Sequence, residues 1–363
     1  MKKLRIGFLS TAGIGKKNWQ AIFNSGNCVI AAVASRDVTK SRKFIDECQH
    51  EFAFAETPRA LGSYEELIAS PDVDAVYVPL PTGLRKEWVL RAAAAGKHII
   101  CEKPCAVSAS ELDEMISACA KSRVQFMDGV MFMHSPRLPR VREVLDDGRS
   151  VGPVRRISSA FSFPGTADFS RGNIRMDGRL EPFGCLGDLG WYCLRFTLWT
   201  MKWQLPHTVT GRILSQSEPI GGRVPAPTEF SAELFFEDNI SAELYCSFIA
   251  ADQQWAFISG RNGWLRLADF VHPFNSREPA FEVNRTEIRV REAGTAQRQT
   301  SIPESADLGH PTAQNTIMFR NFANQVFSGK LNNDWPMWAL KTQQVMDACF
   351  KSAQEAGKPV KTF

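Results

Sequence analysis

The N-terminal part of the chain alternates short apolar runs with amphipathic stretches, and this alternation restricts the fold more than any other feature. The strand-like runs lie at residues 4–9, 28–35, 73–79, 97–101 and 124–127. Strands that alternate with helical segments at this spacing predict a parallel sheet with helices on both faces, which is an α/β domain. In such open sheets, ligands bind outside the carboxyl ends of the strands.

A second pattern begins near residue 150. Residues 241–246 read Ser-Ala-Glu-Leu-Tyr-Cys, and this alternation predicts an antiparallel strand with one solvated face. Further strands are predicted at residues 155–163, 208–214, 230–236, 255–260, 264–267 and 287–291, and helices at 186–200, 315–328 and 337–356. Because 363 residues are too many for one ordinary core, we predict an α/β domain over 1–128 and an α+β domain over 129–363.

The composition is that of a soluble globular protein, with 44% hydrophobic residues, 23% charged residues and a net charge of +4. The basic residues are scattered, so we expect no nucleic-acid partner. No apolar run is long enough to span a membrane. The nine cysteines form no CxxC pair and no zinc-like spacing with histidine. We therefore expect no metal, a cytoplasmic location and reduced thiols, with Cys101 and Cys105 as small buried side chains.

The loop after the first strand is a candidate pyrophosphate site. It reads Ser10-Thr11-Ala12-Gly13-Ile14-Gly15, the frame of the fingerprint G-x-G-x-x-G with Ser and Ala in place of the first two glycines. Backbone N–H groups and the positive end of the next helix can hold a pyrophosphate there. Ala12 still permits close backbone approach, and Ser10 or Thr11 offers a hydroxyl to the phosphate. A plain tight turn is the alternative.

The second strand ends at Ser35 and Arg36. Proteins that bind NAD usually have an acidic residue here for the ribose hydroxyls. An arginine instead pairs with the 2′-phosphate of NADP and stacks on adenine, and Lys40 is a second candidate for that phosphate. We favour NADP, with NAD as the alternative because Asp37 follows one position later.

Two more strand ends carry candidate residues. Pro79, Leu80, Pro81 and Thr82 follow the strand expected beside the nicotinamide ribose, and we predict cofactor contacts from them. The tripeptide Glu102-Lys103-Pro104 follows the next strand. Its lysine lies where a charged amine can reach a substrate oxygen, and Glu102 is a scaffold residue or a cofactor contact. Far along the chain, Asp188 and Tyr192 offer an acid/base partner.

The order of these motifs, ending in Glu-Lys-Pro and then Asp-x-Gly-x-Tyr, resembles the Gfo/Idh/MocA oxidoreductases. The resemblance covers almost the whole chain and is nearest to the branch of glucose–fructose oxidoreductase and dimeric dihydrodiol dehydrogenase. It implies a Rossmann domain that binds NAD(P), then a domain for substrate binding and oligomerisation. That second domain would have a large, open-faced, mainly antiparallel sheet that often forms homodimers or homotetramers.

The resemblance also implies roles for single residues. Lys103 matches the lysine near the nicotinamide and the reacting carbon, and its bond to Pro104 is often cis in the family. Tyr192 falls where the family has His or Tyr, and Asp188 matches the aspartate one helical turn earlier. One departure is the segment from Thr82 to Arg85, which reads Thr-Gly-Leu-Arg where Asn-x-x-His is common.

Hydride transfer from an alcohol requires a group that removes the hydroxyl proton and another that stabilises the oxyanion. Asp188 and Tyr192 are four residues apart and would share one helix face. A nearby ammonium such as that of Lys103 would favour the phenolate of Tyr192. We therefore predict Tyr192 as the proton donor and acceptor, Lys103 as its electrostatic partner and Asp188 as the orienting group. The roles of Lys103 and Tyr192 are interchangeable, and His134 is a further candidate for substrate binding.

The sequence thus predicts an NADP-dependent oxidoreductase that acts on a sugar, a polyol or a related hydroxy or carbonyl compound. A non-catalytic dinucleotide sensor on the same fold is the alternative, because the glycine turn is altered.

Overall fold

The structure is a computed structural model, and it describes residues 2–273, 280–288, 295–303 and 312–362. The chain forms two compact units. The N-terminal unit contains Met1–His134 and Gly309–Leu340, and the C-terminal unit contains Ser135–Leu308 and Lys341–Phe363. A late segment of the chain therefore belongs to the first unit. The domain boundary between residues 128 and 129 stays a prediction.

Strands and helices alternate in the first part of the chain, and strands dominate later. The strands are β1 (Leu4–Leu9), β2 (Cys28–Ala34), β3 (Arg59–Leu61), β4 (Ala75–Val78), β5 (His98–Cys101), β6 (Phe126–Asp128), β7 (Val154–Ser162), β8 (Thr208–Gln216), β9 (Pro227–Phe235), β10 (Ser241–Ser247), β11 (Gln253–Gly260), β12 (Gly263–Leu267), β13 (Ala280–Ile288), β14 (Thr295–Pro303) and β15 (Val360–Lys361). The helices are α1 (Ile14–Ser25), α2 (Val38–Glu51), α3 (Tyr64–Ala69), α4 (Arg85–Ala94), α5 (Ala109–Lys121), α6 (Arg137–Asp146), α7 (Ala167–Gly172), α8 (Trp191–Thr200), α9 (Gln314–Phe327) and α10 (Asp334–Gln354).

The sheet of the N-terminal unit has six parallel strands in the order β3-β2-β1-β4-β5-β6. This confirms the predicted Rossmann fold, and the strand order reverses between β1 and β4. Strand β4 reads Ala-Val-Tyr-Val, and all of its side chains are buried. Because helices cover both faces of such a sheet, its carboxyl edge is where polar loop residues gather.

Local sequence signals explain where several helices begin and end. Ser63 Oγ accepts a hydrogen bond from the N–H of Glu66 at 3.1 Å, and Ser108 Oγ accepts one from Glu111 at 3.2 Å. Both serines are therefore N-caps, of α3 and α5. Gly96 follows α4 with a φ of 74°, the left-handed conformation that ends many helices.

Helix α9 packs within the N-terminal unit although it lies near the end of the chain. Its Arg320 Nε donates to the carbonyl of Ser25 at 3.0 Å, and its Phe319 carbonyl accepts from the thiol of Cys28 at 3.5 Å. The ring of Phe319 lies 6.2 Å from that of Tyr77 on β4. The predicted helix at residues 315–328 is confirmed, but its periodicity did not indicate the unit to which it belongs.

The C-terminal unit contains a nine-stranded sheet in the order β14-β13-β12-β11-β7-β10-β9-β8-β15. Neighbouring strands are antiparallel except β7 and β10, which pair in parallel from Arg156 and Ser241 to Ser162 and Ser247. Helix α8 packs against β7 and β10 in the middle of this sheet. The predicted large, mainly antiparallel sheet is confirmed.

Some predicted elements differ from the structure. The predicted helix at 186–200 is a π-helical segment, Leu186–Gly190, followed by α8. The predicted strand at 287–291 begins earlier, at Ala280, and residues 289–291 lie outside the described part. Helix α6 escaped prediction because Pro139 interrupts its pattern, although proline is tolerated in a first helical turn.

All nine cysteines are buried free thiols, as predicted for Cys101 and Cys105. Burial raises the pKa of Cys119 to about 12, so this thiol stays protonated at neutral pH. Among the described residues, no helix is both long enough and apolar enough to cross a membrane. In the same part of the chain, no group of three or more His, Cys, Asp or Glu side chains is arranged to hold a metal ion.

Candidate active site

The loop after β1 has the backbone geometry of a dinucleotide turn despite its substitutions. Ser10 stands at the first glycine position of the fingerprint and has a φ of 135°, a conformation that favours glycine. Its hydroxyl accepts a hydrogen bond from the N–H of Ala12 at 3.3 Å. A Cβ on Gly15, the third glycine position, would lie 3.0 Å from the ring of Phe44. Gly15 therefore permits close packing of α1, the role of the third glycine.

The start of α1 has the features of an anion site. Gly13 caps the helix without a side-chain hydrogen bond, and the first turn of α1 contains no acidic residue. No carboxylate therefore competes within this turn for the positive end of the helix dipole. Thr11 and Ala12 are half-buried beside it, and Ile14 is 42% exposed.

At the end of β2, Asp37 bonds its own helix. Asp37 Oδ1 accepts hydrogen bonds from the N–H of Thr39 at 2.9 Å and from its hydroxyl at 2.6 Å. Asp37 is thus the N-cap of α2, and these bonds lower the pKa of its carboxyl. Arg36 and Lys40 are exposed, whereas Ser35 is buried.

The loops after β4 and β5 are tied together. Pro79, Leu80 and Thr82 are buried, and Pro81 is half-buried. Thr82 Oγ1 donates to the carbonyl of Pro104 at 3.4 Å. The Lys103–Pro104 peptide bond is cis, as the family resemblance implied. Since β4 and β5 are neighbours, the two predicted loops lie side by side at one sheet edge.

Glu102 is the end of a buried hydrogen-bond chain. Asn18 Nδ2 donates to the hydroxyl of Tyr77 at 2.7 Å, and that hydroxyl donates to Glu102 Oε1 at 2.6 Å. Glu102 Oε2 accepts from the N–H of Lys103 at 3.3 Å. Burial, followed by the charge of Glu102, raises the pKa of Tyr77 well above its usual range, so its hydroxyl stays a donor. These bonds fit the scaffold role predicted for Glu102, and its role as a cofactor contact stays a prediction.

Two lysines, Lys17 and Lys103, accompany this chain of hydrogen bonds. Partial desolvation lowers the pKa of Lys17 on α1, and the nearby charge of Glu102 opposes that shift. Lys103 itself is half-buried in the loop after β5.

His134 lies at the end of a 3₁₀ turn, Met131–His134, in the N-terminal unit. Its Nδ1 lies 3.2 Å from Asn321 Nδ2, and its ring lies 5.9 Å from that of Trp335. These residues line a cavity of 440 Å³. One ring nitrogen of His134 is therefore engaged within its own unit.

In the C-terminal unit, Asp188 lies in the π-helical segment and Tyr192 lies in the first turn of α8. Asp188 Oδ2 pairs with Arg175 Nε at 2.8 Å. Tyr192 is buried, with 6% of its surface exposed, and its ring lies 5.6 Å from that of Phe161. We predicted that Asp188 and Tyr192 share one face of a regular α-helix. Asp188 instead lies in a π-helical segment, and such segments are frequent at functional sites.

Arg175 and Arg85 are the residues whose contacts the sequence did not indicate. Arg175 lies in a polar loop that reads as solvated, and its pairing with Asp188 has no local signal. Arg85 is 5% exposed in the first turn of α4, a position where a cation is unfavourable. A cation in a first helical turn opposes the helix dipole, and this conflict is the sequence signal that Arg85 has a special role.

A parallel sheet in this order, with a turn and helix α1 after β1, defines the N-terminal unit as a Rossmann-fold domain. Residues 4–130 match the model of the GFO/IDH/MocA oxidoreductase family with an NAD-binding Rossmann fold. Residues 139–266 match the model of the GFO/IDH/MocA C-terminal domain.

Full-length relatives agree with both matches. D-xylose 1-dehydrogenase (NADP(+)) 2 of Haloferax volcanii is 29% identical over 97% of this chain and 98% of its own. The dTDP-3,4-didehydro-2,6-dideoxy-alpha-D-glucose 3-reductase of Actinomadura kijaniata is 30% identical over 97% of this chain and 96% of its own. The chain belongs to the Gfo/Idh/MocA oxidoreductase family.

A solved structure supports the fold as well. The crystal structure of a 3-ketoreductase from Actinomadura kijaniata in complex with NADP and TDP-benzene superposes with a TM-score of 0.80. The identity is 23%, and the match covers 97% of this chain and 98% of that chain. At this identity the likeness concerns the fold alone.

The conformation of Ser10 generates a stability prediction. We expect Ser10→Gly to be more stable than Ser10→Ala by about 1 kcal/mol, because both lose the hydroxyl and only glycine relieves the positive φ. Urea unfolding of the two variants measures the difference. Ser122, with a φ of −82°, is the control position, and there alanine should be at least as stable as glycine. Equal stabilities of the two Ser10 variants would contradict the strain at this turn.

Proposed function

We propose that this protein is an NADP-dependent oxidoreductase that transfers a hydride between the nicotinamide and a hydroxyl- or carbonyl-bearing carbon of a sugar, polyol or related compound. The observation that carries the proposal is Lys103, the second residue after β5, in a loop bonded to the loop after β4. The full-length likeness to an NADP-dependent xylose dehydrogenase and a dTDP-sugar reductase supports it.

The residues at the carboxyl edge suit NADP. The N–H groups of the loop after β1, with hydroxyls from two of its residues, would hold the pyrophosphate; the proposed set is Ser10, Thr11, Ala12, Gly13 and Ile14. Ser35, Arg36 and Lys40 would hold the 2′-phosphate of NADP. Asp37, the alternative contact to the ribose, is engaged as a helix cap. Contacts to the nicotinamide half would come from Pro79, Leu80, Pro81, Thr82, Glu102 and Lys103. When bound, the nicotinamide ring accepts or donates the hydride.

The remaining chemistry is proton transfer and charge stabilisation by side chains. We assign Tyr192 as the group that accepts or donates the proton of the substrate hydroxyl. The ammonium of Lys103 would stabilise the developing oxyanion. Asp188, whose Oδ2 pairs with Arg175, would orient a substrate hydroxyl. His134 stays a predicted substrate contact, with one ring nitrogen paired to Asn321.

The cofactor assignment is tested at Arg36. Removal of a bidentate phosphate partner should weaken NADP binding by about ten- to a hundredfold, which corresponds to about 1.5–3 kcal/mol for a charge-assisted hydrogen bond. NAD affinity should change by less than about threefold, since NAD lacks the 2′-phosphate. Fluorescence titration of Arg36→Ala with NADPH and NADH measures both. Lys121→Ala, at the end of α5, is the control with the same loss of charge. Equal weakening of NADPH and NADH binding would refute the assignment.

The catalytic assignment is tested with Lys103→Ala, Tyr192→Phe and the double variant. Each single change should lower kcat by about 10²- to 10⁴-fold, the usual contribution of a positioned acid or base. The double variant should be scarcely slower than the worse single variant, because the two groups act on one proton transfer. NADP reduction with a panel of aldoses and polyols led by D-xylose measures this. Tyr245→Phe is the matched control, as Tyr245 bonds Glu229 on the sheet. Near-normal turnover in Lys103→Ala would reject the mechanism.

We also propose a homodimer or homotetramer that forms through the open face of the nine-stranded sheet, and a cytoplasmic location. In support, that sheet carries a 490 Å³ groove lined by side chains such as Thr210, Tyr245 and Trp255, and the free thiols suit a reducing compartment. Light scattering should give a multiple of the chain mass, and Trp255→Arg should lower it. A wild-type monomer at micromolar concentration would exclude the oligomer, and recovery in a secreted fraction would exclude the location.

A further inference from the structure

Arg85 joins the two loops at the predicted nicotinamide end of the sheet edge. Its guanidinium donates from Nε to the carbonyl of Leu80 at 2.7 Å and from Nη1 to the carbonyl of Glu102 at 2.7 Å. Nη1 also donates to the carbonyl of Pro104. Leu80 belongs to the loop after β4, and the other two carbonyls belong to the loop after β5. One side chain thus ties both loops to the start of α4.

The placement of Arg85 is costly without these contacts. It is 5% exposed, and a buried charge is unfavourable unless it is paired or hydrogen-bonded. It also lies in the first turn of α4, where the helix dipole disfavours a cation. Among the described residues, its hydrogen-bond partners are main-chain carbonyls rather than carboxylates. The compensation for this cation therefore comes from the loops that it joins.

The bonded carbonyls lie on both sides of Lys103. Glu102 is the residue before Lys103, and Pro104 is the residue after it. By bonding both carbonyls, Arg85 restrains the backbone on each side of Lys103. A planar guanidinium has five N–H donors and can reach diverging acceptors at the same time. A lysine ammonium bonds from a single point, and an imidazole has at most two N–H groups. An arginine therefore makes a set of contacts at this position that neither a lysine nor a histidine supplies in full.

We propose that Arg85 is a positioning residue for Lys103, holding the backbone of the Glu102–Pro104 loop so that the lysine amine meets the reacting oxygen. This inference rests on the proposed function, in which Lys103 contacts the substrate. Arg85 contacts neither substrate nor cofactor and acts through the loop. A misplacement of about 1 Å in such a group can lower the rate about a hundredfold.

The test compares Arg85→Lys and Arg85→His with the wild-type protein. Arg85→Lys keeps the charge, Arg85→His leaves at most two N–H donors, and circular dichroism verifies that each variant folds. Arg91→Lys is the matched control, because Arg91 lies on the same helix and pairs at the surface with Glu65 and Glu87. The kinetic probe is D-xylose with NADP, or the most active aldose of the panel if D-xylose is not turned over.

We expect kcat to fall about 10- to 100-fold in Arg85→Lys, because the Lys103 amine would be displaced from the reacting oxygen. The kcat of Arg85→His should lie between that of Arg85→Lys and that of the wild type, or equal that of Arg85→Lys. Hydrogen exchange of the peptide covering residues 100–106 should become faster in both Arg85 variants and stay unchanged in Arg91→Lys. Wild-type kcat and unchanged exchange in either folded Arg85 variant would overturn the inference.

A second measurement separates positioning from general stability. In the Lys103→Ala background, Arg85→Lys should lower the residual rate by less than about threefold, because the group that it positions is gone. An equal loss in both backgrounds would overturn the inference and leave the proposed function intact. Near-normal turnover of Lys103→Ala would instead reject the proposed function and this inference with it. The two failures are therefore distinguishable.

Discussion

The parallel pairing of β1 with β4 determines where every candidate cofactor residue of the N-terminal unit lies. With β2 beside β1 and β5 beside β4, four consecutive strands of the sheet end at one edge. Each of those ends carries a motif that the chain separates widely: the turn at Ser10, the pair Ser35 and Arg36, the run that begins at Pro79, and the tripeptide at Glu102. A change of strand order would disperse these residues, so the pairing is the constraint on which the site depends.

Burial of polar groups at that edge imposes a second requirement. Glu102 is buried and needs donors, which Tyr77 and the N–H of Lys103 supply. Arg85 is buried and needs acceptors, which the loop carbonyls supply. Side chains from β4 and α4 therefore hold the Glu102–Pro104 segment, and Asn18 of α1 holds the Tyr77 hydroxyl. Preorganisation of this kind is what a hydride-transfer site requires, since its charges must be in place before the reaction.

Much of this arrangement could be predicted from the sequence because it depends on local pattern. Apolar runs located the strands, and the strand ends located the candidate residues. The turn at Ser10 was also foreseeable in place, although its positive φ was not, because a serine gives no local sign of that conformation.

The contacts that organise the site depend instead on long-range packing. The bonds from Arg85 to Glu102 and Pro104 cross from one loop to the next, and the pairing of Arg175 with Asp188 joins segments 13 residues apart. The attachment of α9 to the first unit and the π-helical turn at Asp188 are likewise tertiary outcomes. Periodicity reports which face of an element is buried and carries no information about its partner.

We propose that the carboxyl edge of the parallel sheet binds NADP with Lys103 at its reactive end. A crystal structure of the complex with NADP and an aldose is the decisive measurement. We expect the 2′-phosphate within hydrogen-bonding distance of Arg36 and the substrate oxygen within hydrogen-bonding distance of the Lys103 amine. A dinucleotide bound elsewhere, or a substrate oxygen that contacts neither Lys103 nor Tyr192, would contradict it.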